Sequence, residues 1–162
     1  MAMTNSSHSR TREVTGFPTR EETELWVALN LAQRSIYRSI DTALKSSGLP
    51  PLRWYDVLWS LERSDRAGLY ARELEKALIF EQSNLSRLLN RMIREDLVRE
   101  TVCIEDRRAK VLRITAKGRR TRRKMWDIYG PLIHRFVAEI PDPRDQKQAA
   151  SVLRMLLGAQ KP

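Results

Sequence analysis

The sequence predicts a mainly α-helical fold with a small β hairpin (α+β): a winged helix-turn-helix domain flanked by long helices at both ends. Three observations point there. From Leu74 to Gly118 the chain reads helix, turn, helix and a short hairpin whose tip is Glu105-Asp106-Arg107-Arg108-Ala109. Within the second of these helices Leu85, Leu88, Leu89 and Met92 recur at i, i+3, i+4 and i+7, a stripe that faces a core. On either side of the region lie long stretches whose apolar residues also step by three and four.

The first long helix is predicted to start near Arg20, where Thr19 and Glu22 have the spacing of a capping box. Leu25, Leu29, Ala32, Ile36, Ile40 and Ala43 carry its stripe, and Gly48 with Pro50 and Pro51 ends it. Pro51 then opens a second helix, about Leu52 to Ser64, whose apolar residues occupy more than one side, as in a centrally buried helix. Ser64 to Gly68 is a polar turn, followed by a short helix with Leu74, Ala77 and Leu78 and then by the helix that ends near Asp96. Two strands are expected, Leu97 to Ile104 and Lys110 to Ile114, each with period-two apolar spacing.

Thr115 is placed to cap another long helix, Ala116 to about Ile140, which opens on a basic turn and is expected to bend where Pro131 removes a backbone donor. Pro141 and Pro143 bracket the turn to a last helix bearing Ala149, Val152, Leu153, Leu156 and Leu157. The terminal helices carry more apolar surface than a small winged core can cover, so they are expected to bury it against a second copy of the chain. The resulting division is a disordered arm over 1–19, a dimerisation helix over 20–50, the winged domain over 51–115 and dimerisation helices over 116–162.

Composition narrows the function classes. No apolar run approaches the ~20 residues that span a bilayer, and Met1 to Thr19 lacks the apolar centre of a secretory signal, so a cytoplasmic protein without a membrane partner is expected. One cysteine, Cys103, excludes an internal disulfide and a multi-cysteine zinc site. His8 and His134 have no metal-ligand spacing, and His134 is read as a packed or interface residue. The glycines are scattered, so no phosphate-cradling loop exists. No catalytic residue, metal site or cofactor is expected, and the chain is not read as an enzyme.

Charge gathers in one place. The chain carries a net +10, and from Glu81 to Lys124 there are 14 Lys or Arg against 6 Asp or Glu. A localised excess of this kind is the electrostatic footprint for a polyanion. Arg outnumbers Lys by 23 to 7, which favours bidentate contacts. Opposite the apolar stripe, the helix before Asp96 shows Ser83, Asn84, Ser86, Arg87, Asn90 and Arg91, side chains that read base edges and clamp phosphates. With Asp106, Arg107 and Arg108 at the hairpin tip, these are the candidate contacts to double-stranded DNA.

The run Leu-Ser-Arg-Leu-Leu-Asn-Arg-Met-Ile-Arg-Glu-Asp-Leu-Val-Arg-Glu from Leu85, followed by Asp106, Arg108, Thr115 and Gly118 in an Asp-x-Arg tip and Thr-x-x-Gly pattern, resembles the MarR family of bacterial transcriptional regulators. The resemblance covers about Arg20 to Gly158. It implies a homodimer that presents two winged domains to a near-palindromic operator, with Arg108 in the minor groove and Asp106 holding it. A narrow minor groove concentrates negative potential, which suits that division of labour. The sequence departs from the family pattern twice: Asp96 stands where Gly is common, and Glu81-Gln82 stand where a cap is usual, which makes Ser83 a candidate cap.

The resemblance further implies a repressor released by a small aromatic or anionic effector, with Tyr37, Arg38 and Trp54 as the candidate ring faces and cation of its pocket. Two other functions compete with it. The Arg-rich stretch from Lys117 to Lys124 suits an architectural protein that grips any phosphate backbone. Cys103, beside Arg107 and Arg108, suits a redox-responsive regulator.

Overall fold

A computed structural model describes residues 16–64, 68–78, 85–102 and 110–158. The chain divides into two compact units, Met1–Ser35 and Ile36–Pro162. The described part of the first, residues 16–35, is a short non-helical lead and the start of helix α1 (Arg20–Ser46). Its expected capping box is formed: the Thr19 N–H donates to Glu22 Oε2 at 2.7 Å and the Glu22 N–H to Thr19 Oγ1 at 3.2 Å. Leu25, Trp26, Val27 and Leu31 of this unit are exposed.

In the second unit the end of α1 leads into α2 (Leu52–Arg63), β1 (Leu69–Tyr70), α3 (Ala71–Ala77) and α4 (Leu85–Arg94). Strands β2 (Val98–Val102) and β3 (Lys110–Ile114) follow, then α5 (Ala116–Val137) and α6 (Pro143–Gly158). Among the described residues no helix is long and apolar enough to cross a membrane.

Helix α1 stops because Gly48 adopts φ +68°, letting the Leu49 N–H reach Leu44 O and the Gly48 N–H reach Lys45 O, both at 3.0 Å. Asp41 then accepts the Leu52 N–H at 2.9 Å and fixes the start of α2. As its all-round apolar pattern predicts, α2 is the central element: Leu52, Val57, Leu58 and Leu61 are at most 1% exposed. Each such side chain contributes about 1.5–3 kcal/mol by leaving water. Ile40, Leu44, Leu74, Leu89, Met92, Val98, Leu112 and Met125 close the core around it.

Among the described residues the sheet has three strands in the order β1-β3-β2, all antiparallel, with Val98 opposite Ile114, Glu100 opposite Leu112 and Leu69 opposite Leu112. The hairpin was legible in the sequence; β1 was not, because two residues cannot display an alternation. Gly68 lets β1 approach, since a β-carbon there would lie 2.6 Å from Leu112 O. Helix α5 starts where Thr115 predicts, the Gly118 N–H donating to Thr115 Oγ1 at 2.9 Å. It continues through Pro131 and ends at Val137, three residues short of the expected limit.

Candidate nucleic-acid interface

Helix α4 is built to show one face. With about 100° between successive residues, Leu85, Leu89 and Met92 fall together, and Leu89 and Met92 are buried. The opposite arc runs, in angular order, Ser86, Asn90, Arg94, Arg87 and Arg91, all exposed. Arg94 lies near the middle of that arc and had not been singled out from sequence; its i, i+7 relation to Arg87 is the signal that could have found it.

The exit of α4 is fixed from two directions. Asp96 adopts φ +58°, the Leu97 N–H donates to Met92 O at 2.9 Å and the Asp96 N–H to Ile93 O at 3.0 Å. This is a Schellman turn with Asp in the left-handed position, as expected of the residue that departs from Gly. The start of α5 then clamps Glu95, Asp96 and Leu97. Thr115 Oγ1 donates to Asp96 O at 2.7 Å, the Thr115 N–H donates to Leu97 O at 3.1 Å, and Lys117 Nζ donates to Glu95 O at 2.6 Å. A cation at a helix C-terminus also complements the helix dipole. The Thr-x-x-Gly motif thus ties the orientation of α4 to the base of α5.

The two flanks of the exposed arc differ. On one flank Ser86 and Asn90 border a groove of about 640 Å³, whose wall includes Tyr70, Arg72, Glu100 and Lys110 above an apolar floor with Leu89, Ile93 and Leu112. Lys110 Nζ is held by Glu100 at 2.8 Å across the sheet. On the other flank the Arg91 guanidinium stands 5.3 Å from the centroid of the Trp54 ring and pairs with Glu95 at 3.4 Å.

The basic turn of α5 is not one uniform patch. Arg122 pairs with Glu62 at 2.5 Å, with Arg119 at 3.9 Å from the same carboxylate, and these bind α5 to α2. Arg122 and Arg63 both lie over the Trp59 ring, at 5.6 and 5.8 Å. Tyr55 stacks between Trp59 and Trp126 and meets Tyr129 edge-on at 5.0 Å. Burial pushes the hydroxyl pKa of both tyrosines up; an Arg122 hydrogen bond partly opposes this at Tyr55, and the charges of Tyr55 and Asp56 add to it at Tyr129. Arg120, Arg123 and Lys124 remain exposed on α5.

Ser86, Arg87, Asn90 and Arg91 are therefore brought onto one exposed arc. Ser83, Asn84, Asp106, Arg107 and Arg108 lie outside the described residues, as does Cys103. Of the candidate effector residues, Trp54 is 4% exposed and belongs to the core, Tyr37 is half-buried against it and Arg38 is exposed. His134 is exposed and lines a separate groove of about 590 Å³ with Trp126, Gly130, Ile133 and Val137.

Residues 47–109 match the model of the MarR family. No curated protein is significantly similar in sequence. Solved structures share the fold. Sco3205, a MarR family transcriptional regulator from Streptomyces coelicolor in complex with DNA, is 24% identical with a TM-score of 0.81, over 90% of this chain and 95% of that one. The MepR–DNA complex of S. aureus is 18% identical with a TM-score of 0.74, over 88% and 99%. The PcaV transcriptional regulator of S. coelicolor, in complex with its natural ligand, is 20% identical with a TM-score of 0.69, over 88% and 95%.

Proposed function

We propose that this chain is a MarR-family protein, a reading its winged-domain sequence and its fold support, and that it is a dimeric, sequence-specific DNA-binding repressor whose operator affinity falls when a small aromatic or anionic effector binds. The observation that carries the reading is the arc of α4. Short hydroxyl and amide groups stand beside three guanidinium groups on a helix held at its end by α5. Arg87, near the middle of that arc, and Asn90, on its groove side, are assigned to base edges in the major groove, where bidentate pairing of Arg with G and Asn with A is geometrically favoured. Arg108, with Asp106 beside it, is assigned to the minor groove, with Arg107, Ser83 and Asn84 as flanking contacts.

Dimerisation is supported by the exposed apolar residues of α6, Val152, Leu153, Met155, Leu156 and Leu157, and by those at the start of α1. Two winged domains then meet successive major grooves ~34 Å apart, and an effector acts by favouring a dimer in which they are mis-spaced. The effector shifts occupancy only as far as its affinities for the two shapes differ. The ligand complex of PcaV supports an effector. A ligand using Trp54 must displace core packing to reach the ring, whereas Arg38 is open to it.

The test is fluorescence anisotropy on duplex DNA selected by the protein from random sequences, against a scrambled duplex, at several salt concentrations. A preference of ~10³-fold or more at physiological salt is expected. Equal binding to both with a steep salt slope would instead establish the architectural reading.

A further inference from the structure

The flank of α4 occupied by Arg91 differs from the rest of the arc in a way that separates two kinds of DNA contact. A guanidinium that reads a base must project along the helix's outward normal and swing its fork onto a base edge. Arg87, with Arg94, lies near that normal, and Asn90 lies on the flank away from Arg91. Arg91 lies at the edge of the arc, above α2, with its guanidinium carbon 5.3 Å from the Trp54 centroid and its Nε 3.4 Å from Glu95 Oε1. Its side chain is still 65% exposed, so one side of the cation rests on a buried ring while the other faces solvent.

We propose that Arg91 is a phosphate clamp pre-positioned by the Trp54 ring, and that it supplies sequence-independent affinity while Arg87 and Asn90 supply discrimination. The proposal rests on the DNA-binding reading above and assigns a distinct role within it. Three arguments carry it. The stack fixes a long side chain that would otherwise lose its rotamer freedom on binding. A cation at the border of a helix in the major groove is placed for the sugar-phosphate wall rather than for the base edges. The Glu95 carboxylate holds only the Nε side, so the terminal amino groups of the guanidinium keep donors for a phosphate oxygen. Trp54 is a positioning residue in this scheme, since it acts through Arg91 and touches no DNA.

The experiment measures affinity for a selected operator duplex and a scrambled duplex across salt, for the wild type, Arg91→Ala, Arg91→Lys, Trp54→Phe and the double variant Arg91→Ala/Trp54→Phe. Arg91→Ala should weaken both duplexes by a similar factor, about tenfold, and lower the salt slope by about one per protomer. Arg91→Lys should keep the slope and lose part of the affinity. Trp54→Phe should weaken binding two- to threefold with the slope intact, and that effect should vanish in the Arg91→Ala background. A purely structural role for Trp54 would persist in that background and overturn the positioning assignment. A loss of discrimination in Arg91→Ala, with the salt slope unchanged, would overturn the clamp and make Arg91 a base reader. Wild-type protein that binds neither duplex would overturn the DNA-binding reading itself, an outcome distinct from the other two.

Discussion

Gly118 lies directly against the carbonyl of Leu97: a β-carbon at position 118 would fall 2.2 Å from that oxygen and 2.8 Å from Ile114 Cγ1. The same carbonyl accepts the Thr115 N–H at 3.1 Å. The first turn of α5 is therefore pressed onto the exit of α4, and the contact admits no side chain at residue 118.

Gly118→Ala is expected to destabilise the protein by about 1–3 kcal/mol, because backbone, not a flexible side chain, must move to admit the methyl group. Ala ordinarily favours a helix over Gly by about 1 kcal/mol, so a loss has the opposite sign to propensity. The check is the urea midpoint, which should fall. A rise would mean that α5 pivots freely on Leu97.

Motif spacing made two parts of this joint legible, each by itself. Thr115 was readable as a cap from its position before an amphipathic run, and Asp96 as a left-handed residue from its short polar side chain. What the sequence could not show was that both serve one joint, because hydrogen bonds between residues about twenty apart leave no local pattern. The two-residue strand β1 was hidden for a related reason: it pairs with β3, more than forty positions away. Arg91 and Trp54 illustrate the same limit at the site. Each was readable as a functional residue in its own segment, one facing DNA and one facing an effector. Only the fold shows that they touch. The basic run from Lys117 to Lys124 was legible as charge, but its division into residues that brace Glu62 and residues that face outward depended on where α2 lies.

At Asp96 the left-handed backbone, φ +58°, sets the next test. Asp96→Val introduces a branched β-carbon where the conformation disfavours any, and should cost about 1–2 kcal/mol. Asp96→Gly removes the steric penalty but adds unfolded-state entropy, so its stability should stay within about 1 kcal/mol of the wild type. Thermal unfolding of the two variants side by side distinguishes them. Equal losses would show that the carboxylate, rather than the backbone angle, is what matters.

The aromatic brace between α2 and α5 gives a pH prediction. Burial, with the charges of Tyr55 and Asp56 adding to it, raises the Tyr129 hydroxyl above its ordinary value. In the folded state the group holds its proton more tightly than in the unfolded chain. Its contribution is fully present below pH about 10 and is lost as pH rises through the folded value. Stability should therefore fall above pH 10, and Tyr129→Phe should flatten that fall while leaving neutral pH nearly unchanged. Denaturant midpoints taken from neutral to strongly alkaline pH measure it; an unchanged alkaline slope in the variant would assign the loss to other groups.

The proposed dimer requires that the apolar residues of α6 be covered. Leu153 and Leu156, three apart on the helix, are 42% and 43% exposed, and no residue of α6 is buried within the chain. Paired substitution, Leu153→Glu with Leu156→Glu, adds charges that repel if two copies meet there but that water solvates if they do not. Sedimentation should then report a shift from dimer to monomer with the helical content retained. Operator affinity should fall steeply with it, because one winged domain alone forfeits the second half-site and the effective concentration that links the two. An unchanged dimer would place the interface elsewhere and leave the exposed apolar face of α6 without a role in assembly.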